Sequence, residues 1–97
     1  MSRSEHGVMY SPVSAAELWA GARPAVYEVL HTLFNALTCI PVEAETGRQA
    51  GDYLRRFRKS HSVELGDALI AAGAVSRSAL LWTRNRKRYP MQDVKFF

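Results

Sequence analysis

Read for the spacing of its apolar positions, the chain divides into short strands and longer helices. Residues 7–13 suit a short strand, with Val8 and Tyr10 alternating against Gly7 and Met9; Pro12, which has no N–H to donate, ends its ladder. Ser14 and Glu17 have capping-box spacing, so a short helix is expected to start there, run to about Trp19 or Ala20 and stop at Gly21. Pro24 suits the first turn of a second helix, whose residues Val26, Val29, Leu30, Leu33, Phe34 and Leu37 fall on one face. Residues 38–42 are β-branched and apolar and predict a buried strand. Glu43 and Glu45 then sit in the first turn of a third helix, where negative charge is favoured, and this helix should reach about Lys59. Gly47, Ala50, Gly51, Leu54 and Phe57 share one of its faces, and the small residues there predict close packing on a sheet. Residues 60–64 read as a loop and residues 65–76 as an apolar helix buried nearly all round. Residues 79–83 predict a strand, residues 84–89 a polar turn or short helix stopped by Pro90, and residues 94–97 a last edge strand.

Strands that alternate with helical segments imply an α/β layered domain with a mainly parallel sheet. Residues 1–97 are enough for one domain and no more. In such sheets ligands bind beyond the carboxyl ends of the strands. That rule directs attention to the residues that follow each strand.

Composition narrows the class. Hydrophobic residues make up 47% and charged residues 23%, so the chain is not a disordered one. Its longest nearly uncharged apolar run, residues 68–75, is far shorter than the about 20 residues of a membrane helix, and residues 1–7 lack the apolar core of a secretory signal. A soluble, cytoplasmic protein is expected. The one cysteine, Cys39, can form neither an internal disulfide nor a thiolate metal cage, and its apolar neighbours Leu37 and Ile40 suggest a small buried hydrophobe. Net charge is +4, and the cations cluster: Arg55, Arg56, Arg58 and Lys59 in one group, Arg84, Arg86, Lys87 and Arg88 in another. Such clusters favour a polyanion or an acidic protein partner, although each alone also fits a solvated helix end. No helix-turn-helix carries them, which argues against a basic DNA-binding domain.

Three oxygen-bearing side chains stand near strand ends or a buried helix start. They are Glu17 after the first strand, Asp67 before the strand of residues 79–83, and Asn85 after it. Two carboxylates and an amide oxygen suit a hard divalent cation, and such a cation beside Lys and Arg clusters suits hydrolysis of a phosphodiester. Glu17 could instead only cap its helix, and Asp67 only complement a helix N-terminus. Asp67 opens the apolar run Ala68-Leu69-Ile70-Ala71-Ala72, where an unpaired carboxylate is costly, so a cation or a donor must neutralise it. His6, His31 and His61 show no ligand spacing, and His31 reads as structural. The sequence has no glycine-rich phosphate loop, no G-x-S-x-G and no zinc pattern.

Three segments resemble a known family. Glu64-Leu65-Gly66-Asp67-Ala68-Leu69-Ile70-Ala71-Ala72 followed by Leu80-Leu81-Trp82-Thr83-Arg84-Asn85-Arg86-Lys87-Arg88-Tyr89-Pro90-Met91 resembles the C-terminal part of PIN-domain ribonucleases of the VapC toxin type. Residues 11–23 resemble that family's second strand and following helix, and Cys39-Ile40-Pro41-Val42 its third strand. The resemblance covers residues 6–97. It implies an α/β PIN-like three-layer domain and a Mg²⁺- or Mn²⁺-dependent endoribonuclease, the toxin half of a toxin–antitoxin pair. Glu17 and Asp67 match the family's metal-site carboxylates. Thr83 and Asn85 match a T-R-N/D motif that completes the pocket. By the same resemblance Arg84, Arg86, Lys87 and Arg88 would hold RNA phosphate, and the implied partners are RNA, a cognate antitoxin and a second copy of the chain.

The chain also departs from the family, whose domain begins with a strand ending in a metal-binding Asp, central in a sheet of order 3-2-1-4-5. No Asp precedes Asp52 here, and Glu5 is the nearest upstream carboxylate. The expectation is therefore an incomplete PIN-like domain lacking its central strand, weakened or inactive as an enzyme, with a non-catalytic interaction module as the alternative. The two strands that flank the gap are expected either to pair directly or to receive a strand from another chain, because buried unpaired backbone is costly.

Overall fold

The computed structural model describes residues 1–4 and 7–97; Glu5 and His6, both weighed above, lie outside the described residues. Among the described residues, five strands and four helices follow in the order β1 (Ser2–Ser4), β2 (Gly7–Tyr10), α1 (Pro12–Gly21), α2 (Tyr27–Ala36), β3 (Thr38–Cys39), α3 (Ala44–His61), α4 (Leu65–Ser76), β4 (Leu80–Leu81) and β5 (Lys95–Phe96). Single 3₁₀ turns at Pro24–Val26 and Arg86–Arg88 lead into α2 and follow β4.

The sheet runs β3-β2-β1-β4-β5. β1 is antiparallel to both β2 and β4, whereas β2–β3 and β4–β5 are parallel. The sheet is thus mixed rather than mainly parallel, and its centre is filled. The strands flanking the expected gap neither pair directly nor take a strand from another chain. Ser2–Ser4 enters between them, with Ser2 opposite both Met9 and Leu81 and Arg3 opposite both Val8 and Leu80. The next backbone pair continues the ladder, Trp82 N–H donating to the Met1 carbonyl at 2.8 Å. Gly7, at φ 105°, takes a backbone conformation that other residues rarely adopt at the start of β2.

Period-two alternation assigns the faces. Ser2, Met9 and Leu81 form one row, all buried, and Leu81 joins the alanines of α4 in the main core. Arg3, Val8 and Leu80 form the opposite row and are exposed. Met9, not Val8, is therefore the core residue of β2. Tyr10 packs on α2 through Phe34, ring centroids 4.7 Å apart, and Trp19 of α1 lies against His31 at 4.8 Å.

Helix ends follow cap chemistry, with one correction. α1 begins at Pro12, not at Ser14. The Ser11 hydroxyl caps it by accepting the Val13 N–H at 3.1 Å, and Pro12 takes a first-turn position where a missing N–H costs nothing. Glu17 therefore lies inside the helix and is not paired with Ser14 in a capping box. α3 begins at Ala44, so Glu43 is its cap rather than a first-turn residue, its N–H donating to Thr46 Oγ at 3.1 Å; at the far end Ser62 caps the helix in the left-handed region with φ 54°.

The buried face of α3 is Thr46, Ala50 and Tyr53, with Leu54 and Phe57 packed beside it. Gly47 and Gly51 are exposed, and a methyl group added at either would meet no atom within 4 Å, so they do not mediate close packing. α3 packs on α4 rather than on the sheet. The close approach falls instead at Gly73 of α4, where an added Cβ would lie 3.3 Å from Ile40 Cγ2. The strand expected over residues 38–42 is only Thr38–Cys39, at the sheet edge. Cys39 is exposed there, not buried, and Ile40 alone reaches the core.

Candidate functional site

α4 places the first candidate. Asp67 lies in its first turn and is buried, 7% exposed. One carboxylate oxygen, Oδ2, accepts the Glu64 N–H at 3.1 Å; the other, Oδ1, stands 3.7 Å from an Arg88 guanidinium nitrogen. The buried charge thus has both a donor and a cation. α1 places the second candidate. Val13 and Glu17 are one helical turn apart, and both face Gly66 at the start of α4. A Cβ built there would lie 3.5 Å from Val13 Cγ1 and 3.8 Å from Glu17 Oε1. Glu17 is thereby held against the same turn of α4 that carries Asp67.

The segment after β4 supplies the rest. Thr83 Oγ accepts the Asn85 N–H at 3.1 Å, which folds residues 83–85 back at the carboxyl end of the strand. The 3₁₀ turn Arg86–Arg88 then brings Arg88 to Asp67 and Tyr89 into the wall. Glu17, Asp67, Thr83 and Asn85 all line one cleft of about 370 Å³, together with Ser14, Arg88, Tyr89 and the rim residue Trp82, which is 62% exposed.

Tyr89 was not singled out from the sequence, and its position deepens the electrostatic picture. Burial pushes its phenol up to about 12, and the negative charges of Asp67 and Glu17 push the same way while Arg88 opposes them. Both carboxylates thus act on one buried hydroxyl. The signal available in sequence was an aromatic residue between a run of cations and Pro90.

The candidate phosphate-binding cations divide. Arg88 is committed to Asp67. Arg86 lies 4.8 Å above the Phe96 ring and donates to the Phe97 carbonyl at 3.4 Å. Arg84 and Lys87 are exposed and make no ion pair among the described residues.

This arrangement can be set beside known proteins. The chain is 37% identical over 91 residues to ribonuclease VapC10 of Mycobacterium tuberculosis, an alignment covering 93% of this chain and 68% of the relative. The chain belongs to the VapC ribonuclease family. It is also 37% identical over 76 residues to ribonuclease VapC19 of the same organism, covering 77% of this chain and 61% of that relative. No protein-family model matches the chain, and no solved structure gives a significant match.

The donor set bears on the divalent cation that the family resemblance implies. Carboxylate, hydroxyl and amide oxygens are the ligand types Mg²⁺ and Mn²⁺ prefer. The charge count is lean: two carboxylates, one of them already facing a guanidinium. Among the described residues no group of three or more His, Cys, Asp or Glu side chains could hold a metal ion. No helix among them is long and apolar enough to cross a membrane.

Proposed function

We propose that the chain is a VapC-type toxin of a toxin–antitoxin pair whose cleft acts on the phosphodiester backbone of RNA. One observation carries this reading: Glu17, Asp67, Thr83 and Asn85, from three separate stretches of the chain, line one cleft at the carboxyl end of β4. Glu17 and Asp67 would hold Mg²⁺ or Mn²⁺, with Thr83 and Asn85 orienting ligand or water through their side-chain oxygens. When bound, the cation supplies Lewis acidity toward a phosphodiester oxygen. Arg84 and Lys87 would hold the phosphates on either side. Arg86 and Arg88 contribute positive field from their fixed positions on Phe96 and beside Asp67. The proposed protein partners are a cognate antitoxin and a second copy of the chain. The exposed apolar residues Val26, Tyr27 and Val29 around the start of α2 support a protein-facing surface.

One feature favours a second reading, a non-catalytic interaction module. Asp67 is satisfied by the Glu64 N–H and the Arg88 guanidinium without any metal ion. The two readings separate in one experiment. Purified protein is incubated with mixed RNA and Mn²⁺ or Mg²⁺, beside Glu17→Gln and Asp67→Asn. Cleavage that needs the metal and disappears in both variants supports the enzyme. Intact RNA throughout, with the fold retained, supports the module.

A further inference from the structure

The first basic cluster plays no part in the reading above, and in the folded chain it splits. Asp52 pairs with Arg55 at 2.5 Å and with Arg56 at 3.4 Å. Arg58 and Lys59 are exposed and make no ion pair among the described residues. His61, also exposed, meets the Phe57 ring edge-on at 5.7 Å. Arg58, Lys59 and His61 occupy the last turn of α3. Complementing the helix dipole accounts for a cation there. An exposed ring set among unpaired cations goes further, because it combines a phosphate contact with a stacking surface, as single-strand binders do.

Position gives the cluster its meaning. Only Ser62, Val63 and Glu64 separate His61 from the first residue of α4, and α3 packs along α4. The cationic end of α3 and the turn carrying Asp67 therefore lie at the same end of the molecule. α3 contributes no residue to the wall of the cleft, whereas the first turn of α4 reaches it through Asp67. We infer that the end of α3 is a second phosphate-binding limb. The substrate is then a single-stranded RNA that crosses the first turn of α4, held by Arg84 and Lys87 at one side and by Arg58 and Lys59 at the other. This rests on the reading of the cleft as an RNA site.

The test uses a labelled single-stranded RNA of about 16 nucleotides, without divalent cation, and the dependence of its affinity on salt. Arg58→Gln/Lys59→Gln should lower the slope of log affinity against log salt by about 1.4, the share of two phosphate contacts on a single strand. The control is Arg48→Gln/Arg77→Gln, which removes the same net charge at the opposite ends of α3 and α4, where Arg48 faces Glu45 and Arg77 faces Glu43. Its slope should match the wild type, as should that of Arg58→Lys, which keeps the charge. An RNA of about four nucleotides, too short to reach both limbs, should not distinguish the first variant from the wild type. Equal slopes for the two double variants on the long RNA would overturn the limb while leaving RNA binding at the cleft intact. Equal loss on the short RNA would mean a diffuse field and overturn it too. Absence of RNA binding by the wild type would remove the cleft reading as well.

Discussion

At Asp67 one guanidinium stands where a divalent cation would be useful. Arg88 is 3.7 Å from Asp67 Oδ1 and about half exposed, so solvent screening keeps the pair's worth to stability small. Its charge still competes with any cation for the same carboxylate. Arg88→Gln should therefore raise Mn²⁺ affinity by on the order of threefold to tenfold, read by titration calorimetry. A fall would mean that Arg88 instead holds Asp67 in a binding orientation. Two tyrosines set the alkaline limit. Tyr53 is fully buried and its hydroxyl donates to Asp93 Oδ2 at 2.7 Å; burial and that carboxylate push it up to about 12, as burial does Tyr89. A phenol with its folded pKa above its unfolded value near 10 stabilises the fold while neutral. That stability is whole below pH 10 and is lost as pH rises through about 12. Ultraviolet titration should find Tyr53 and Tyr89 ionising only near that upper limit, and Tyr53→Phe and Tyr89→Phe should each remove one such step. Ionisation of both near pH 10 with the fold intact would contradict it.

Among the elements, α3 holds two glycines that do no packing work. Nothing lies within 4 Å of an added methyl at Gly47 or Gly51, so alanine at either should stabilise the protein by about 0.5–1 kcal/mol, read as a higher urea midpoint. Gly73→Ala should do the reverse, because Ile40 stands 3.3 Å from the new carbon. These glycines also mark where sequence reading succeeds and fails. α4 was legible to its ends, since the apolar run of residues 65–76 with Asp67 in its first turn points to one buried helix, though not to the cap that Glu64 supplies. Small residues on α3 carried no such information, because Gly permits close approach without requiring it. Pro12 has two physical meanings, strand end and helix start, and Ser11 before it decided for the helix. The grouping of Glu17, Asp67 and Asn85 followed from their places after strands and at a helix start, and Thr83 joined it through the family resemblance. Tyr89 and the Asp67–Arg88 pair did not, because both depend on how a 3₁₀ turn folds back.

For the molecule as a whole, β1 was the illegible element. Ser2–Ser4 has neither alternation nor β-branched residues; its extended state comes from the open edges of β2 and β4 on either side. A proline there should act far beyond its own site. Arg3→Pro cannot donate to the ladder in the strand that joins the two halves of the sheet, and should cost about 3 kcal/mol or more, read in denaturant. A loss within about 0.5 kcal/mol would show that the halves hold together through α4 instead. The placement of β1 also orders events during synthesis. Its pairing with β2 can close as soon as Tyr10 has emerged, but its other edge waits for Leu80 and Leu81, some seventy residues later. At a ribosomal pace of about 5–20 residues per second, that edge stays open for several seconds. Through that interval the growing chain offers a bare hydrogen-bonding edge to any extended segment nearby, including the same edge of a neighbouring nascent copy.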